Sequence, residues 1–192
     1  MKNILKKATI FALLFGTLSA NATVTDKRSD ATVVEFGFVR EGAQIFIKDT
    51  EDYLLFKFNV EETGQFIKSF DFTTLPDGAY RFEVHEDRTI QIKPFRVTEG
   101  MVVFNEATSH TIFKPILTPI NDKVTLSCTT LNNDPFEVRI YDNKDRLLYS
   151  EKITKKSEVN RIFNMSQIKE DGVVFRIKVG DRRFSERITL GN

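Results

Sequence analysis

Residues Phe136–Ile153 read FEVRIYDNKDRLLYSEKI, and this stretch decides the fold. Phe136, Val138 and Ile140 alternate with Glu137, Arg139 and Tyr141, the period of two expected of a half-buried strand. Asp142-Asn143-Lys144-Asp145 then turns the chain, and Leu147, Tyr149 and Ile153 open a second strand. The same unit stands earlier, at Ala43–Val60, AQIFIKDTEDYLLFKFNV. An offset of 93 residues carries one stretch onto the other without a gap. It matches Ile47 with Ile140, Asp49 with Asp142, Asp52 with Asp145, and Leu54-Leu55 with Leu147-Leu148. A hairpin loop of this length, built on a type I turn, often ends in a left-handed residue. Asp52 and Asp145 fall at that place, and Asp tolerates it better than most side chains.

Beyond the hairpin the correspondence continues, with Phe66 on Val159, Phe70 on Phe163 and Phe72 on Met165. Asp77-Gly78 and Asp171-Gly172 are counterpart turns after one extra residue in the second copy. The remaining chain is short alternating stretches separated by turns. Val33–Val39, Tyr80–Val84, Thr89–Thr98, Lys123–Thr129, Val173–Val179 and Arg183–Leu190 all read as strands. Thr111–Ile120 is apolar but carries Pro115 and Pro119, which predicts an edge strand or a crossing segment. The pattern predicts an all-β chain of two tandem β-sandwich modules, residues 31–100 and 101–192, with a boundary at Glu99-Gly100.

At the N-terminus, Lys2, Lys6 and Lys7 precede the apolar Ala8–Leu18, and Ala20-Asn21-Ala22 offers small residues for cleavage. Residues 1–22 therefore read as a signal peptide and 23–30 as a polar, disordered leader. The apolar run is too short to span a bilayer, so no integral span is expected in the mature chain. The 170 residues after the signal peptide carry 25 basic and 27 acidic side chains. At that balance no footprint for nucleic acid or an anionic membrane is expected. The 18 phenylalanines, in a chain without tryptophan, suit core filling. Cys128 is the only cysteine; alternation places it with Val124 and Leu126 on a buried face, and no intrachain disulfide can form.

Candidate chemistry is sparse. His85 and His110 are the only histidines, without zinc spacing or a nucleophile elbow; His85 is expected on the polar face of a strand and His110 in a loop. Asp49, Asp52, Asp142, Asn143 and Asp145 offer oxygens to a cation, but too few, and turn chemistry accounts for them. Lys152, Lys155, Lys156 and Arg161, interleaved with Glu151 and Glu158, read as a solvated strand edge. Tyr53 and Tyr141 are dispersed rings, and Tyr149 reads as core. No catalytic, cofactor-binding or metal-ligating residue is assigned.

Ile140-Tyr141-Asp142 with Arg146-Leu147-Leu148-Tyr149, the loose opening Thr118–Val124, and Asp171-Gly172 before Phe175, Ile177 and Val179 together resemble a known family. The second module, over residues 115–190, is similar to the C-terminal sorting domain of proteins exported by the type IX secretion system of Bacteroidota. Leu75-Pro76-Asp77-Gly78-Ala79-Tyr80 gives the first module a related late motif. The chain departs from the pattern where Asp145 replaces the usual Gly, where no Pro precedes Gly172, and in its last strand. The resemblance implies an immunoglobulin-like sandwich and the secretion machinery as a partner. The expected function is that of an exported, non-enzymatic module for binding, adhesion or the cell envelope, in the periplasm, at the cell surface or outside. Its expected contact is strand addition at a sheet edge. The alternatives are a small passenger carrying a sorting domain, and a small hydrolase with an unrecognised site.

Overall fold

The structure is a computed structural model that describes residues 31–130 and 133–190; the expected signal peptide and leader lie outside the described residues. The described chain is all-β, with antiparallel strands and a single 3-10 turn at Glu106–Thr108. It divides into two compact units. One takes the described residues through Glu83 with Lys93–Ser109, and the other takes Val84–Ile92 with the described residues from His110 onward.

In the first unit, β1 (Ala31–Val39) pairs with β4 (Gly64–Asp71), with a bulge between Glu35 and Gly37. Gly37 takes a φ of 78° there, a conformation that costs glycine little. A second sheet runs in the order β3 (Leu54–Asn59), β2 (Gln44–Asp49), β5 (Gly78–His85), β6 (Thr89–Thr98), β7 (Met101–Phe104). Phenylalanine fills this core as its abundance predicts. Phe36 from β1 meets Phe82 from β5 edge-on at 5.1 Å, and Phe82 lies 5.2 Å from Phe70 and 5.0 Å from Phe95. Such ring pairs add about 0.5–1.5 kcal/mol each beyond the area they bury.

The second unit holds β8 (His110–Phe113), which pairs with the Thr89–Ile92 half of β6. Its main body is two sheets, β9 (Ile116–Ile120), β10 (Lys123–Thr129) and β13 (Glu158–Asn164) in one, and β11 (Phe136–Tyr141), β12 (Leu147–Ile153), β14 (Gly172–Val179) and β15 (Arg182–Thr189) in the other. The orders are β13-β10-β9 and β12-β11-β14-β15. Val124, Leu126 and Cys128 from the first sheet face Phe136, Val138, Ile140, Phe175 and Ile177 from the second in one core. Alternation along β10, β11 and β14 is what directs these residues inward. Pro119 lies in the edge strand β9, where its missing N–H disturbs no central ladder.

One local expectation is corrected, and the two matched hairpins share a further departure. His110 is not in a loop: it opens β8 opposite Ile92, because β6 offers an edge that draws it into pairing. Leu54 and Leu147 do not enter the cores but stand 47% and 54% exposed. The cause is the register shift between Ile47 and Lys48 in one hairpin, and between Ile140 and Tyr141 in the other. It sets Leu54 opposite Lys48 and Leu147 opposite Tyr141, on the outer rows.

Candidate functional site

The two aspartate loops fold alike. Asp49 Oδ1 accepts the N–H groups of Glu51 and Tyr53, both at 2.9 Å. Asp142 Oδ1 accepts those of Lys144 and Arg146, at 2.8 and 2.9 Å. Asp52 and Asp145 then take φ values of 67° and 57°, the left-handed position the sequence predicts. Each is held by an arginine from the third strand in the order of its sheet: Arg81 of β5 pairs with Asp52, and Arg176 Nη2 of β14 donates to Asp145 Oδ1 at 2.6 Å. Asp142 is buried and also accepts Arg146 Nε at 2.6 Å. Burial pushes its pKa up, but the hydrogen bonds from Arg146 and Lys144 outweigh this and hold it below the ordinary carboxylate value. These carboxylates are used to close their own loops. Among the described residues no group of three or more His, Cys, Asp or Glu is placed to hold a metal ion.

Other charged groups are likewise spent internally. Glu83, fully buried on the outer row of β5, accepts Lys48 Nζ at 3.0 Å and Arg81 Nε at 2.9 Å. Sequence alternation places Glu83 on the polar face but cannot show that two long basic side chains cover it. Arg161 binds Glu151 from the neighbouring edge strand, and the Tyr149 hydroxyl donates to Glu151 Oε2 at 3.1 Å. Tyr149 is thus a border residue, its ring against Phe163 at 5.4 Å and 40% of its surface exposed. The buried Cys128 thiol is pushed up to about 11 by desolvation, which keeps it protonated and a poor nucleophile. His85 closes β5 and His110 begins β8; neither lies beside Cys128 in the chain's strand pairings.

One surface is different. On the solvent face of the β12-β11-β14-β15 sheet, the register sets Arg139 opposite Arg176, Lys178 opposite Arg183, and Glu137 between Lys152 and Lys178. Arg187 follows two residues beyond Ser185 on the same face of β15. Six basic side chains therefore share a face with one carboxylate, Glu137, which is paired with Arg139. Asp145 and Asp171 meet Arg176 and Arg187 only at the rim. A cleft of about 580 Å³ opens among Glu137, Arg139, Tyr141, Arg176, Lys178 and Arg183. The Arg176 guanidinium lies 4.4 Å from the Tyr141 ring centroid, a cation–π contact that covers the ring. Sequence reasoning missed this face because its members come from four strands and their acidic sequence neighbours cancel them in any composition count.

No family model and no curated protein matches the chain. Among solved structures it is similar to a chain described as "Biofilm associated protein - BSP domain", at 14% identity and a TM-score of 0.30. That match covers 80% of this chain, which spans about a quarter of the other chain's length. No helix among the described residues is long and apolar enough to cross a membrane.

Proposed function

We propose that this is an exported, non-enzymatic binding module of the cell envelope or its surroundings, built from immunoglobulin-like sandwiches. The observation that carries the reading is the partition of charge. Asp49, Asp142, Glu83 and Glu151 serve loop closure and ion pairs, whereas the open cleft lies on a solvent-facing sheet. Support for the immunoglobulin-like description is the strand order of the second unit, a three-stranded sheet whose central strand leads across to a four-stranded one. Fractionation of producing cells with N-terminal sequencing tests export: the expected species begins near Thr23 outside the inner membrane, and a full-length cytoplasmic chain refutes it. Co-sedimentation of the purified chain with envelope fragments tests binding, which should saturate and yield to unlabelled competitor.

A second reading makes the later module a secretion signal and the earlier one its passenger. It is favoured by the Ile140-Tyr141-Asp142 segment and its closed loop. Removal of residues 102–192 should then leave the first module in the periplasm, and unchanged secretion overturns that reading.

A further inference from the structure

We infer that the solvent face of the β12-β11-β14-β15 sheet binds a linear polysaccharide bearing carboxylate groups, seated along Arg139, Arg176, Lys178 and Arg183. The inference rests on the binding-module reading above and names its ligand class. Its first ground is energetic. Like charges directly opposite on neighbouring strands weaken a sheet, and this face carries two such pairs side by side, Arg139 with Arg176 and Lys178 with Arg183. Glu137 stands opposite Lys178 on β11 but is ion-paired to Arg139, and Arg183 makes no ion pair among the described residues, so the positive charge of this face is only partly offset within the protein. A polyanion offsets the remainder.

The second ground is geometric. Alternate residues along a strand lie roughly 6.8 Å apart and adjacent strands about 4.8 Å apart, so the four cations form a close lattice across the cleft. Repeating carboxylates on an extended sugar chain can engage several of them at once, and guanidinium binds carboxylate two-pronged. The third ground separates this ligand from other polyanions. A protein partner needs apolar anchors at the centre of its contact, and the centre here is charged. A single-stranded nucleic acid needs rings on which its bases stack, and Tyr141 is already covered by Arg176.

The test uses the full chain after leader removal and fluorescein-labelled polygalacturonate, followed by fluorescence anisotropy. Binding is expected, and raising salt from about 50 to about 200 mM should weaken it at least about tenfold. The K178Q/R183Q double variant should lose at least about tenfold in affinity while keeping the parent's far-UV circular dichroism spectrum. The K123Q/K169Q variant, equal in charge change but off this face, should bind like the parent. Equal loss in both variants, or no loss in the first, overturns the inference. Tighter binding to duplex DNA or to anionic phospholipid vesicles than to the polyuronate overturns it in favour of those ligands. No polyuronate binding with intact envelope co-sedimentation overturns the ligand class alone; loss of both overturns the binding-module reading as well.

Discussion

Arg161 holds Glu151 with two nitrogens, Nε 2.9 Å from Oε2 and Nη2 2.7 Å from Oε1, joining edge strands of the two sheets in the second unit. The offset of 93 residues carries this pair onto Lys68 and Phe58 in the first unit, where Lys68 Nζ stands 4.8 Å from the Phe58 ring centroid. An ion pair and a cation–π contact thus occupy corresponding edges. Both anchors are partly solvated, so each contact is worth about 0.5–1 kcal/mol at most. Urea unfolding of Arg161→Ala should show a loss within that range.

The same pair sets a pH dependence. The hydrogen bond from Arg161, opposed by burial, lowers the Glu151 pKa from its ordinary 4.5. A carboxylate with a depressed folded pKa stabilises fully above its unfolded value and loses that contribution as pH falls through the folded one. The melting temperature of the parent should therefore fall below about pH 4.5 more steeply than that of Arg161→Ala. Parallel curves would show that the pair does not act as described.

The loop carboxylates should differ in importance. Asp142 is buried and binds two backbone N–H groups and Arg146, whereas Asp49 is only half-buried. Asp142→Ala should lower the melting temperature by several degrees and more than Asp49→Ala, because its N–H partners lose their acceptor away from water. Asp142→Asn keeps an acceptor oxygen and should fall between parent and Ala.

At Asp145 the backbone φ of 57° favours glycine, and the pair with Arg176 is exposed on both sides. Asp145→Gly should stabilise by up to about 1 kcal/mol, and Asp145→Val should destabilise by a similar amount. Chemical denaturation of both variants decides this; a destabilised Gly variant would mean that the Arg176 contact outweighs the strain.

Gly172 has no room for a side chain. A Cβ there would lie 2.7 Å from the Ile188 carbonyl oxygen on the paired strand, while one at Gly64 would meet open space. Gly172→Ala should cost about 1–3 kcal/mol and Gly64→Ala much less, measured by thermal or urea unfolding.

Particular residues show how much of this was readable in the chain. Phe136, Val138 and Ile140 announced their burial because a strand turns every second side chain the same way. Asp52 and Asp145 announced their backbone shape because loop length and turn chemistry are local. Leu147 did not announce its exposure, since a bulge changes the parity of a strand without marking the sequence. The cationic face was hidden for a related reason. Arg139 meets Arg176 only once strand order and register are known, and both depend on pairings between residues far apart in the chain.

Cys128 is the chain's sole sulfhydryl, and it lies between the sheets of the second unit. With only 6% of its surface exposed, it is attacked freely by an alkylating reagent when that interior opens. The rate of alkylation is therefore a built-in clock for how often the sandwich breathes, read without adding a probe or perturbing a single contact.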